Sequence, residues 1–320
     1  MKKRSESDKF QRFFWVLIDG AAVLLVISTL LGFLGHFWWF FDWFSHFRLQ
    51  YVIVSCALFL IYLIRKHQGM VLGIFFFFLL NFSLILPLYI SPPDVQSNDQ
   101  VYRILLANVL TENQNHELLF SLIIETPPDF VMLLEVNQTW LDDLNLVTLG
   151  YTDDLIKPRD DNFGIAFYSR YPIENSEFHR FGSLDLPSIV SYVKLDNQPL
   201  VFVLSHPVPP KSEGLTLHRN KHMQDLMAYV VEQDENTMVV GDFNSTSWSP
   251  FFKEWLKNTN LLDSRLGFGI QPTWLTQYWY FRVPIDHILV TPEVIVHARE
   301  IGPEIGSDHF PVILDFLLAK

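Results

Sequence analysis

GSDHFPVILDF, residues 306–316, sets an adjacent Asp308–His309 pair directly in front of a run with strand-like alternation. VVGDFNSTS, 239–247, does the same in reverse, placing Asp242 and Asn244 after an apolar strand. Between them PIDHILV, 284–290, carries Asp286 inside an otherwise apolar strand. An unpaired carboxylate buried there would cost several kcal/mol, so Asp286 needs a partner, and an imidazole would serve. Working back along the chain, three more strand-like runs end on a polar group: VYRILLANVL at Asn108, DFVMLLEV at Glu135 and LVFVLSHP at His206. Strand ends and the loops after them are where a rigid scaffold presents chemistry.

Helical spacing separates these strands. HELLFSLIIET, LHRNKHMQDLMAYVVEQ and PFFKEWLKN read as helices, while FGIAFYSR, IVSYVKL and FPVILDF read as further strands. Two β-rich halves with interleaved helices predict a layered α/β sandwich rather than an eightfold barrel. Carboxylates, amides and histidines gathered at strand ends make an oxygen-rich set suited to Mg²⁺ or Mn²⁺. The single cysteine, Cys56, lies far from them, which argues against a structural zinc cluster. Each residue has a plainer reading alone. Asp or Asn beside Gly forms turns, a Glu at a strand end is solvated, and His206 before Pro207 can sit on the surface. Their recurrence in order along one domain weighs against that. His116, His179, His218 and His222 show no ligand spacing and are expected on the surface.

The first 90 residues are different. Residues 13–35, about 50–64 and 69–90 are long apolar runs, each near the ~20 residues that cross ~30 Å of hydrocarbon, so about three transmembrane helices are expected. The middle run, QYVIVSCALFLIYLI, is the shortest. Asp19 in the first run is tolerable if it faces a neighbouring helix or the interface. HFWWFFDWFSHF, 36–47, has the composition of an interfacial aromatic belt. Lys2, Lys3, Arg4, Lys9 and Arg12 precede the first run and Arg65, Lys66 and His67 follow the second, whereas the first loop offers only Arg48. Basic flanks face the cytoplasm, so an odd number of spans puts the rest of the chain on the extracytoplasmic side of the cytoplasmic membrane. A cleavable signal peptide is the competing account, disfavoured by the run's length and the apolar segments that follow.

The expected organisation is therefore an anchor over 1–90, a polar linker SPPDVQSNDQ over 91–100 and a catalytic domain over 101–320. From residue 91 onward the chain carries 15 Lys and Arg against 31 Asp and Glu, about −16. Such a field repels a polyanion unless cations bridge it.

Taken together, LANV, LLEVN, LSHP, GDFNS, PIDHILV and GSDHFP resemble the endonuclease/exonuclease/phosphatase superfamily of metal-dependent phosphoesterases over roughly residues 101–317. The resemblance implies a DNase I-like four-layer α/β sandwich and hydrolysis of a phosphoester. It implies that Glu135 is the main Mg²⁺ (or Mn²⁺) ligand, with Asn108 and Asp308 assisting. Asp242 and Asn244 would orient or deprotonate the attacking water and bind phosphate. His309 would contact the phosphate as acid or base, oriented by Asp286, and His206 is a candidate acid for the leaving group. Substrate specificity lies in loops that carry no motif. Membrane-anchored members include enzymes acting on polyprenyl pyrophosphate, so the expected partners are the lipid bilayer and a phosphate-containing, lipid-linked substrate. An extracytoplasmic nuclease acting on nucleic acid and a catalytically inactive tethered binding module are the alternatives, and nothing points to a protein partner. PTWLTQYWYFR, 272–282, is open between core packing and an apolar rim that meets acyl or prenyl chains.

Overall fold

The computed structural model describes residues 2–90 and 100–319, with the side chains of 2–5 and 7 left aside. The expected linker, 91–100, lies outside the described residues but for Gln100. The chain divides into two compact units: residues through Pro87 with Trp248–Pro250, and Leu88–Ser247 with Phe251–Lys320.

The first unit holds α1 (Lys2–Leu31), α2 (Trp39–Asp42), α3 (Arg48–Ile64) and α4 (Gln68–Ile85). Two helical stretches, Asp8–Leu31 and Gln68–Tyr89, are long and apolar enough to cross a membrane. A third exists only if Trp39–Ser45 and Arg48–Ile64, bent by 61°, count as one span. Ala22, Leu25, Leu58, Tyr62 and Ile74 pack α1, α3 and α4 together. Asp19 is met by the Tyr62 hydroxyl at 2.7 Å and Arg65 Nη1 at 3.0 Å, the helix-facing arrangement its position requires. Arg48, read from sequence as a loop cation, is instead fully buried at the start of α3. Its guanidinium donates to Asn81 Oδ1 at 3.0 Å and lies over the Phe33 ring at 4.3 Å.

The second unit is built from two six-stranded sheets. In chain order its elements are β1 (Tyr102–Asn108), α5 (His116–Glu125), β2 (Phe130–Leu134), α6 (Gln138–Leu144), β3 (Asp153–Lys157), β4 (Ile165–Ser169), β5 (Ile173–His179), β6 (Ser188–Leu195) and β7 (Gln198–Ser205). Then follow α7 (Glu213–Val231), β8 (Asn236–Asp242), α8 (Pro250–Thr259), β9 (Leu262–Asp263), β10 (Asp286–Val290), β11 (Val294–Ile301) and β12 (Val312–Leu318). One sheet runs β11-β12-β1-β2-β4-β3, the other β5-β6-β7-β8-β10-β9. Each contains one parallel pair, β1/β2 bridged by α5 and β7/β8 bridged by α7, among antiparallel neighbours.

The layering follows from the period-2 alternation of each strand. On β1, Ile104 and Leu106 point to the central core with Phe202, Leu204 and Val240 of the second sheet. Leu105 and Ala107 point the other way, onto Leu119, Ile123 and Trp140 of α5 and α6. On β7 and β8, Val201, Val203 and Val239 face outward onto Met223 and Leu226 of α7 and Phe252 and Trp255 of α8. Helix, sheet, sheet and helix therefore stack in four layers, and because every central strand is covered on both faces its sequence is almost wholly apolar.

Candidate active site

The topology brings the polar strand ends to one place. β1, β2, β7 and β8 all terminate at the same end of the sandwich, delivering Asn108, Glu135, His206 and Asp242. β10 runs antiparallel to β8 and begins there, with Asp286 in register opposite Asp242. β12 runs antiparallel to β1, with Leu106 opposite Val312, so the loop before β12 carries Asp308 and His309 to the same end.

Two close backbone approaches fix this geometry. A Cβ on Gly241 would stand 1.9 Å from the Ser205 carbonyl oxygen, so only glycine lets β8 come this near to the residue before His206. A Cβ on Gly164 would stand 1.7 Å from the Val136 carbonyl oxygen, and the Gly164 carbonyl accepts from Glu135 N at 2.8 Å. Glu135 itself has φ +63°, uncommon for a residue with a side chain. Thr111 Oγ1 holds its carbonyl at 2.9 Å.

Asp242 is the hub. Its Oδ1 accepts from the Asn244 backbone N–H at 2.8 Å, and its Oδ2 lies 3.3 Å from Asn108 Nδ2, 3.5 Å from His206 Nε2 and 3.6 Å from His309 Nε2. Asn108 Nδ2 also donates to Glu135 Oε1 at 2.9 Å. His309 Nδ1 meets Asp286 Oδ2 at 2.9 Å, and its Nε2 lies 3.9 Å from Asp308 Oδ1. Asn244 Nδ2 lies 3.4 Å from His206 Nε2 and donates to the Pro207 carbonyl at 3.1 Å. All eight sequence-predicted residues thus join one cluster, and all but Asp308 and Asn244 are buried.

Burial disfavours charge on every member, and mutual pairing decides where charge survives. Burial pulls the His309 imidazole down, but Asp286 and Asp242 outweigh it and push His309 up to about 10. The same contest raises His206, chiefly through Asp242. Asp242 is lowered, because His309 and His206 overcome its burial. Asp286 stays raised, since burial and the Asp242 charge exceed the help from His309. Glu135 is raised by burial, which His206 and the Asn108 hydrogen bond offset only in part.

Two places here can hold a cation. Asp242, Asp286 and His309 offer ligand atoms within 4.8 Å of one another. Both His309 nitrogens, however, face carboxylates that raise its pKa, which disfavours the neutral ring a cation needs. Glu135 is the second place: its Oε2 is buried without a hydrogen-bond partner, as is Asp286 Oδ1, and a divalent cation would satisfy such an orphan carboxylate oxygen.

Three supporting residues were not among those expected from the sequence. Trp274 Nε1 donates to Asp308 Oδ2 at 3.0 Å, Ser307 Oγ ties the Asn108 carbonyl to the His309 amide, and Phe163 lies 5.3 Å from the His206 ring. Two histidines expected on the surface are buried. His116 lies 2.6 Å from Asp143, and His222 lies 2.7 Å from Ser205 Oγ with its pKa lowered to about 4 by burial and His206. His116 is held by Asp143 and the Asn113 carbonyl and His222 by Ser205, partners that no ligand spacing in the sequence signals.

Residues 97–309 match the model of the endonuclease/exonuclease/phosphatase family. The chain belongs to that family. As a member of the endonuclease/exonuclease/phosphatase family it is a metal-dependent hydrolase of phosphoester bonds. Solved structures agree on the fold. The humanized D. rerio TDP2 superposes with a TM-score of 0.57 at 18% identity, covering 68% of this chain and 99% of that one. The human Nocturnin catalytic domain with bound sulfate gives 0.58 at 18%, covering 68% and 95%. An endonuclease/exonuclease/phosphatase from Beutenbergia cavernae DSM 12333 gives 0.58 at 17%, covering 69% and 72%. Among curated proteins no relative matches the chain.

Proposed function

We propose that this protein is a membrane-anchored phosphoesterase, dependent on Mg²⁺ or Mn²⁺, that cleaves a phosphate ester or pyrophosphate on a lipid-linked substrate outside the cytoplasmic membrane. The observation that carries the chemistry is the buried run of contacts from Glu135 through Asn108, Asp242 and His309 to Asp286. In this reading Glu135 holds the cation, with Asn108 and Asp308 beside it. A cation bound there supplies charge neutralisation to phosphate oxygens as they become more anionic.

The chain's own residues do the rest. Asp242, held anionic by two histidines, accepts a hydrogen bond from the attacking water, and Asn244 fixes both the Asp242 carboxylate and the phosphate. His309 keeps its proton across neutral pH and donates to a phosphate oxygen, while Asp286 holds its Nδ1 and so sets which way the ring points. His206, also raised, donates to the departing oxygen. The group geometry fixes an in-line path in a site that excludes bulk water.

Glu135→Gln tests the assignment of the ion. It keeps the size of the side chain and the Asn108 contact but removes the charge. The Mg²⁺ concentration for half-maximal activity should rise by at least about tenfold. An unchanged half-saturation with Glu135→Gln, and a raised one with Asp286→Asn, would move the ion to the Asp242–Asp286–His309 group.

Two features support a lipid-borne substrate. The chain carries helices able to cross a membrane, and the unit that follows has an acidic excess of about 16 charges, unfavourable for a long polyanion. The nuclease reading keeps one observation in its favour: the related fold of D. rerio TDP2 has been seen with a single strand DNA product. Purified full-length protein with Mg²⁺ should therefore release phosphate from a polyprenyl pyrophosphate in mixed micelles and leave single- and double-stranded DNA intact. DNA cleavage without lipid hydrolysis would establish a tethered nuclease instead.

A further inference from the structure

Between the Trp274–Val283 bridge the chain makes a closed excursion that holds four aromatic residues in a row, Tyr278 to Phe281. They are not core. Tyr278 is 47% exposed, Trp279 73%, Tyr280 48% and Phe281 53%. Elsewhere among the described residues of this unit, apart from the adjacent Tyr89 and Ile90, exposed large apolar side chains stand singly along the chain, as at Val147 or Leu217, which is ordinary for a soluble surface. A contiguous exposed aromatic tip is not. The rings support one another, Tyr280 lying 5.7 Å from Trp279 edge-on and 4.9 Å from Phe281, so the tip is a preformed wedge. Its base is tied to the site: Trp274 bridges His309 and holds Asp308, and Arg282 donates to the Thr276 carbonyl and lies over Phe310.

From these observations we infer that the 278–281 tip is a bilayer-docking wedge, which seats in the headgroup region and brings the mouth of the catalytic site to a lipid-borne phosphate. The inference rests on the membrane reading above. Three features select a lipid surface as the occupant. Tyr, Trp and Phe are the side chains that favour the bilayer interface, where rings gain apolar burial and keep their polar edges wet. No Asp or Glu occurs from residue 266 to 285, in a unit otherwise rich in them, so the tip does not repel anionic headgroups and Arg282 at its base attracts them. The same chain carries helices long and apolar enough to cross a membrane, so the surface is always at hand.

The test uses full-length protein in phosphatidylcholine vesicles. Cys56 is replaced by Ser, Trp279→Cys is labelled with an environment-sensitive fluorophore, and lipids with a quencher on the acyl chain are added. Quenching of the label is expected. In parallel, Trp279→Ser with Tyr280→Ser should lower hydrolysis of the vesicle-borne lipid phosphate about tenfold while leaving that of a water-soluble aryl phosphodiester unchanged. An unquenched label on protein that floats with the vesicles would overturn the wedge and leave the anchor standing. Protein that does not float would overturn the anchor and the wedge together. A label that responds to single-stranded DNA and ignores lipid would reassign the tip to base stacking. A quenched label on an enzyme that hydrolyses no lipid would uphold docking while sinking the substrate assignment.

Discussion

Replacing His309 with alanine is expected to lower kcat by about 10³-fold, within the 10²–10⁴ range for a positioned proton donor, with KM little changed. The ring is the one group of the site that touches three carboxylates, Asp286, Asp242 and Asp308, and the first two keep it protonated. Its removal takes away the proposed donor to phosphate and leaves Asp286 buried without its partner, so some loss of stability accompanies the loss of rate. His309→Gln, which retains a hydrogen-bond donor at similar volume, separates the two effects: it should melt close to wild type yet stay at least about 10²-fold slow. Asp286→Asn should cost less than His309→Ala, and the double variant little more than His309→Ala alone, because the two act as a unit. Steady-state kinetics beside thermal melting would decide it. Turnover within tenfold of wild type in folded His309→Ala would remove this residue from the chemistry.

The second large effect concerns stability. Asp263 and Arg265 form a buried pair, with Arg265 Nη2 2.6 Å from Asp263 Oδ2 and Nη1 3.2 Å from the Ile270 carbonyl. Burial pushes the Asp263 carboxyl up, but Arg265 outweighs it and holds it well below the usual carboxylate range. Arg265→Met should destabilise the protein by about 3–5 kcal/mol, because it strands a carboxylate in the interior. Combining it with Asp263→Asn should restore much of the loss. The pH dependence has a definite sign. A carboxyl depressed on folding contributes stability that is fully present above its unfolded value of about 4, and the contribution disappears as pH falls through the folded value. Wild type should therefore lose melting temperature on acidification below about pH 4, and the double variant should lose less. Equal melting temperatures for wild type and Arg265→Met at neutral pH would refute the claim that this pair matters.

The strands that position the site were legible because they are buried on both faces. FVMLL is apolar throughout, and VYRILL and TMVVG depart from that only at Arg103 and Thr237, so the polar residue closing each run stands out against that background. The edge strands were not. IENSEFH of β5 and DDLIK of β3 are half solvated and carry no apolar run, so nothing in their composition separates them from loops. The short helix QTWLDDL was hidden for a similar reason, since Trp140 and Leu144 alone are buried in it. Site membership could be read for residues that bear the chemistry, whose types are restricted by what they do. Trp274, Ser307 and Phe163 could not be found this way, because their roles depend on three-dimensional neighbours and many residue types precede a turn. Arg48 misled for the opposite reason: a cation in a sequence reads as surface unless its partners, Thr29 and Asn81, are known to converge on it.

The pairing of β12 with β1 has a consequence in time. The first strand of the catalytic unit waits for the last, and the residue proposed to donate to phosphate, His309, enters with that closing strand. A nascent chain that has emerged as far as β10 already holds Glu135, His206, Asp242 and Asp286, yet lacks the proposed donor to phosphate and leaves one edge of β1 open. The contact of His309 with Asp286 therefore forms only once β12 has closed that edge, and any activity that depends on it waits for that strand.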